Sequence, residues 1–394
     1  MKTHRNVAFV FLNVGHFFDH FFLLIYATAA AVSLTSVWHV SYAELVRYAT
    51  PAFVAFGIGS IPAGWLADRW SREGMMSVFY IGMGLSAIAA GFCNNPVTLA
   101  IALTFIGVFA SIYHPVGLAM VVQGRHKTGT ALAINGVFGN LGVACAGLFT
   151  GFLISWINWR AAFIVPGILA TMVGVGYVIF VIQTSVEDHY HPEKPEHTTT
   201  VSSTNRDVLV KTFVIVLITT AIGGFIFQST TFTLPKLISD RLIHGDASAS
   251  LIGSMTFVVF ALAAAAQLLV GYLVDRHSIR SIFGGVALIQ TVLFLIMTRA
   301  TGITGFIVTI GFMLAVFGQI PINDVLVGKI AHSQWRSRAY AIRAFVTFGV
   351  QAVTLPGIAW IYANFGFPLL FIALAIAALC IFGVTTALPD HDVI

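Results

Sequence analysis

Residues 15–21 read Gly-His-Phe-Phe-Asp-His-Phe, inside an otherwise apolar stretch from Val7 to about Leu34. Such a stretch is long enough to cross a bilayer with some tilt. A carboxylate and two imidazoles inside it are costly, so residues of this kind usually face protein or water and mark a transport path. On a 3.6-residue period Asn13, His16, Asp19 and His20 fall within about a third of the circumference, so all four can face one cavity. A network that only fixes helix packing is the plainer reading. Two titratable His beside an Asp exceed what packing needs. Asp19 lies about twelve residues into the stretch, near the midplane at roughly 1.5 Å per residue.

The elements that must position these groups follow from composition. The chain has 394 residues, 58% hydrophobic and 9% charged, with mean hydropathy +0.91. Soluble domains carry about 25% charged residues, so this is a polytopic helical membrane protein. A β-barrel needs short alternating segments, whereas these apolar runs are long and continuous. The first apolar segment is too long for a cleavable leader and has no small-residue cleavage site, so it is expected to stay as the first span. Cys93, Cys145 and Cys380 stand alone, with no paired or metal-binding spacing. The net charge of +5 is read as a topology bias and not as a nucleic-acid surface.

Apolar windows between polar breaks give twelve spans, at about 7–34, 43–65, 74–92, 97–121, 129–156, 160–183, 208–234, 248–273, 280–298, 303–328, 340–363 and 366–387. The expected class is all-α, with an N-terminal six-helix bundle at 1–184, a flexible polar linker at 185–207 and a C-terminal bundle at 208–394. With both termini cytoplasmic, 15 of the 20 Lys and Arg fall on the inner side, which favours that orientation. The halves repeat. Gly64-Trp-Leu-Ala-Asp68-Arg69 after span 2 returns as Gly271-Tyr-Leu-Val-Asp275-Arg276 after span 8, and Ala131-Leu-Ala-Ile-Asn135 in span 5 matches Ala339-Tyr-Ala-Ile-Arg343 in span 11. The offsets are 207 and 208 residues, which argues for duplicated six-helix halves.

The repeated G-x-L-x-D-R resembles the signature loop of the major facilitator superfamily, and twelve spans with a central polar loop extend the resemblance over essentially the whole chain. Gly64 and Gly271 are then expected to allow close helix approach. Asp68 and Asp275 are expected to cap helix N-termini of the opposite half, at spans 11 and 5. With Arg69, Arg276 and Asp324 they are expected to serve conformational gating and not to be substrate ligands. Within the superfamily the chain is similar to the fosmidomycin-resistance type, through the His and acidic residue of span 1, Tyr113-His114-Pro115 in span 4, and Gly136-Val-Phe-Gly139-Asn-Leu-Gly142 in span 5. Two features linked with drug/proton antiport differ: Leu103–Gly107 holds no Arg, and Gly142 is followed by Val143 rather than Pro. Import and export both stay open.

The resemblance implies that spans 1, 4, 7 and 10 line the cavity, so Asp19, His16, His20 and His114 would form one titratable cluster. Burial opposes ionisation of a carboxylate and an adjacent imidazolium favours it, which lets proton occupancy depend on substrate and access side. Asn13, Tyr113, His114, Gln228, Gln319, Asn323 and Arg343 are the candidate substrate contacts. Asp324 and Arg343 are expected at similar depth, as a structural ion pair or as an anion site released when Asp324 protonates. Phe17, Phe18, Phe21 and Phe22 are expected to face lipid or packing. The His and Asp types would also suit a divalent transition metal, so import of a metal ion, a metal chelate or an organic anion through this cluster is the alternative. No nucleotide-binding motif, nucleophile motif or extramembrane domain supports an enzyme, and no cofactor is expected. The expected function is proton-coupled transport of a small organic solute, anionic or amphipathic, by a monomer in the inner membrane. The expected partners are that solute, protons and the bilayer.

Overall fold

Helix starts are set by short polar side chains at the breaks between apolar runs. Ser41 Oγ accepts from Glu44 N at 3.2 Å, Ser71 Oγ from Gly74 N at 3.0 Å, and Asn95 Oδ1 from Thr98 N at 2.9 Å, with Pro96 in the first turn. Each supplies an acceptor to an N–H that the helix leaves open. The computed structural model describes residues 2–123, 128–187, 206–243, 245, 247–330 and 336–388. The 185–207 linker lies almost wholly outside the described residues.

Among the described residues, eleven segments are long and apolar enough to cross a membrane. They are α1 His4–Trp38, α2 Tyr42–Arg69, α3 Arg72–Gly91, α4 Pro96–Val122, α5 Ala131–Trp156 and α6 Ala161–Thr184, then α7 Val208–Leu242, α8 Ala249–Val274, α9 Ile279–Met297 and α10 Gly302–Val327. The eleventh, Phe345–Thr385, belongs to the helical run Arg336–Thr385, which breaks at Gly366 (φ 66°, ψ −164°). That left-handed backbone is open to glycine and costly for other residues. It divides the run into α11 (336–365) and α12 (367–385), so the twelve-span fold holds, with a single glycine where the hydropathy pattern suggests a short loop.

The chain forms two compact units. One holds α1–α6 with Ser248–Phe257 of α8. The other holds α7, the rest of α8 and α9–α12. In the first, α1 packs on α5, α2 on α4, and α3 on α6; in the second, α7 packs on α11 and α9 on α12. Large apolar side chains such as Ile58, Phe105, Met172, Leu268 and Val353 are exposed on outer helix faces, as a lipid solvent demands.

The repeat is visible in local geometry. A π-helical turn at Ala30–Leu34 lies one turn before the end of α1, and another at Ile238–Leu242 ends α7, 208 residues further on. The signature loops match as well. Arg69 stacks over Trp65 at 4.5 Å, and Arg276 over Tyr272 at 3.9 Å. A third π-helical turn, Tyr113–Gly117, interrupts α4 at Pro115, whose missing N–H removes one helical bond. The corresponding stretch of α10 carries Pro321 inside a continuous α-helix.

Close approach at Gly64 is present: a Cβ there would lie 3.3 Å from Pro115 Cβ in the α4 turn. At Gly271 the expectation is corrected, since a Cβ would meet nothing within 4 Å among the described residues. Among the described residues the motif glycine thus meets a neighbouring helix in one half only. Phe18, Phe21 and Phe22 are buried inside the first unit, so these three turn to packing and not to lipid, while Phe17 is half-buried.

Candidate functional site

Glycines on α5 bring α1 close enough to build the site. A Cβ at Gly142 would overlap the carbonyl oxygen of Phe17, and one at Gly139 would lie 2.7 Å from His16 Nε2. No larger residue fits at Gly142 without moving backbone. The α5 glycine run thus has a physical reason, which is to press the α1 face carrying His16, Asp19 and His20 against α5.

Asn135, one turn before those glycines and 0% exposed, ties three helices together. Its Nδ2 donates to Asn13 Oδ1 at 3.0 Å, to Tyr113 Oη at 2.9 Å and to Leu12 O at 3.3 Å. Tyr113 Oη donates to Leu12 O at 2.7 Å. Asn13 and Tyr113, proposed from sequence as substrate contacts, are both buried and committed to this hub. Their role in the structure is to fix α1 against α4 and α5.

The hub also sets the histidine tautomers. His16 Nδ1 lies 2.8 Å from Asn135 O, which can only accept, so Nδ1 carries the proton. A neutral His16 then presents a lone pair at Nε2, and His20 Nε2 sits 3.2 Å away to donate to it. His114, held in the π-helical turn, has its ring centroid 5.5 Å from those of both His16 and His20. His16 stacks on Tyr113 at 4.9 Å and 18°. All four groups expected to form a titratable cluster converge.

Asp19 is 0% exposed. His114 Nε2 lies 3.3 Å from its Oδ2. Apart from that contact the carboxylate has no hydrogen-bond partner among the described residues. A carboxylate so placed is tolerated as an ion pair with imidazolium or as the neutral acid beside neutral imidazole. One proton moved across a 3.3 Å gap interconverts these states, which is the elementary event of a proton relay. The ligand atoms of His16, His20 and His114 all lie within 4.8 Å of one another, so among the described residues these three could hold a metal ion.

The second unit has a different polar core. Gln319 Oε1 accepts from Gln290 Nε2 at 3.0 Å, and Thr219 Oγ1 donates to Asn323 Oδ1 at 3.0 Å. Gln290, Thr219, Gln319 and Asn323 are all buried. Gln228 is 2% exposed, and its Nε2 has no partner among the described residues. Arg343 donates from Nη1 to Asp324 Oδ1, so this pair does form. In the signature loop, Asp68 accepts from Arg72 at 3.0 Å, with both side chains well exposed.

Sequence reasoning missed Asn135 as a site residue, although it had marked the repeat, and missed Gln290 and Thr219. A lone amide or hydroxyl in an apolar helix announces a buried partner without saying which.

The family model described as Major Facilitator Superfamily matches residues 12–245, more than half of the chain. The chain belongs to the major facilitator superfamily. Among curated superfamily relatives, it is 30% identical over 151 residues to a probable 4-methylmuconolactone transporter of Cupriavidus pinatubonensis, covering 36% of this chain and 35% of that one. It is 26% identical over 141 residues to a gallate transporter of Pseudomonas putida (35% and 31%) and 26% identical over 148 residues to the 4-hydroxybenzoate transporter PcaK of Pseudomonas aeruginosa (37% and 33%). The aligned part spans about a third of these curated relatives. Among solved structures, a D-xylose–proton symporter superposes with a TM-score of 0.78 at 15% identity, over 98% of both chains. A bacterial homologue of the lysosomal transporter Spinster does so at 0.72 and 15%, over 98% of this chain and 95% of that one. These likenesses carry the fold alone.

Proposed function

We propose that the chain is a proton-coupled secondary transporter of a small organic anion, working by alternating access as a monomer in the cytoplasmic membrane, with both termini inside. It is a carrier and not an enzyme. The single observation that carries this reading is the Asp19–His114 pair: a fully buried carboxylate whose one polar partner among the described residues is an imidazole nitrogen 3.3 Å away. A group of that kind inside a membrane helix marks a functional site, and a carboxylate beside an imidazole suits proton transfer. His16 and His20 complete the cluster, with His16 held in one tautomer by Asn135.

The solute class rests on two supports. Superfamily relatives are named for gallate, 4-hydroxybenzoate and niacin transport, and the second unit carries a part-buried guanidinium, Arg343. The Tyr113-His114-Pro115 turn and the α5 glycines, through which the chain resembles the fosmidomycin-resistance type, favour export. A second reading, transport of a metal ion, is favoured by the convergence of three imidazole nitrogens within 4.8 Å. It needs three deprotonated rings, whereas His20 Nε2 already points its proton at His16 Nε2 when both rings are neutral.

The test is flux in proteoliposomes under an imposed pH gradient, with aromatic carboxylates, aliphatic carboxylates, amino acids and free Zn²⁺ and Mn²⁺ in parallel. Gradient-dependent movement of one or more carboxylates is expected, and its sign gives the direction of transport. Movement of the metal ions alone would contradict the reading.

A further inference from the structure

Arg343 offers a carboxylate more than Asp324 takes. Its side chain is 17% exposed and Asp324's is 47%, so the cation is fixed in the unit and the anion stands nearer water. Arg343 reaches Asp324 through Nη1, while its Nε is buried with no hydrogen-bond partner among the described residues. A guanidinium presents donors as planar forks, and a carboxylate takes two of them at once. The edge bearing Nε is such a fork. A buried charged donor left unsatisfied is unusual and calls for a missing partner.

The repeat sharpens the point. Arg343 stands where α5 has Asn135, at the 208-residue offset. Asn135 uses its amide inside a closed hub. Among the described residues Arg343 has no such hub, and its Nε keeps an open donor. Structural service at this position is met by a neutral amide in one half, so a guanidinium in the other is surplus to helix packing.

We propose that Arg343 is the binding residue for the carboxylate of the transported solute, through the Nε edge of its guanidinium, and that Asp324 is an internal competitor for the same cation. The inference rests on the organic-anion reading and names its group: a solute carrying a carboxylate, with the neutral amide of the same solute excluded. Binding of the solute and hold by Asp324 oppose each other, so the carrier with an empty site keeps its cation neutralised and the loaded carrier does not need Asp324.

The test is calorimetric titration of purified carrier with 4-hydroxybenzoate, gallate and their primary amides. The wild type is expected to bind at least one carboxylate and neither amide. Asp324→Asn is expected to tighten carboxylate binding about tenfold by removing the competitor, and Arg343→Lys to weaken it about tenfold while keeping the charge and losing the fork. Arg343→Gln is expected to abolish it. Lysine guards against a misfolded glutamine variant, because it preserves the ion pair with Asp324. Equal carboxylate affinity in wild type and Arg343→Lys, or weaker binding in Asp324→Asn, overturns the inference and leaves the organic-anion reading standing. Equal binding of acid and amide also overturns it. A wild type that binds no carboxylate overturns both.

Discussion

At the same point of the repeat, α5 carries Asn135 and α11 carries Arg343, and their surroundings differ in what they leave unsatisfied. Around Asn135 the hub is closed, and the charged group left short of hydrogen bonds nearby is the Asp19 carboxylate, an acceptor. In the second unit, Arg343 Nε, a donor, is left short. The neutral amides there are mixed, with Gln228 Nε2 lacking an acceptor and Gln290 Oε1 lacking a donor. An unsatisfied buried carboxylate calls for a proton, and an unsatisfied buried guanidinium calls for an anion. On the proposed reading, the duplicated halves have diverged into complementary chemistry on one backbone plan.

Packing has diverged alongside. In the first unit Phe17 on α1 meets Gly142 on α5. At the same offsets in the second unit, Gly224 on α7 meets Val350 on α11. The small residue has changed helix. A Cβ at Gly142 would overlap backbone, whereas one at Gly224 would find its nearest atoms at 3.6–3.8 Å, an ordinary contact.

The largest expected effect is therefore on Gly142→Ala, which should destabilise the carrier by about 3 kcal/mol, while Gly224→Ala should stay within about 0.5 kcal/mol of wild type. Denaturation of both variants in detergent measures this. Equal losses would break the claim that the small partner has switched helices. Next in size, Asn135→Ala should cost about 2 kcal/mol, because Asn13 Oδ1 is left buried without its donor and Tyr113 Oη loses a bond. Arg343→Lys, which keeps its pairing to Asp324, should cost under about 1 kcal/mol in the same assay, since it removes no buried partner. Similar losses at both positions would make Arg343 a packing residue like its counterpart.

The titratable cluster was legible in the sequence because helical periodicity is strict. His16, Asp19 and His20 at i, i+3 and i+4 share a face whatever surrounds them, and the twelve spans followed from apolar run lengths. His114 joined the cluster through family resemblance, and the π-helical turn that presents it left only Pro115 as a trace. Partners across helices were not legible. Asn13 and Tyr113 looked like ligands and prove to be bonded to Asn135, since a polar side chain in an apolar helix has the same sequence signature whether it meets solute or a neighbouring amide. Gly271 was misjudged for a related reason: repeat position fixes the backbone, while the side chain that would crowd a glycine belongs to another helix.

The account stands on Asp19 as the proton-bearing group, and Asp19→Asn tests that most directly because it keeps the shape of the side chain and removes only the titration. In one set of proteoliposomes, solute counterflow without a gradient and accumulation driven by a pH gradient are measured side by side. Counterflow within about threefold of wild type, with gradient-driven accumulation reduced at least about thirtyfold, is the expected result. Accumulation at the wild-type level in Asp19→Asn would contradict it, and the buried carboxylate would then be a structural group.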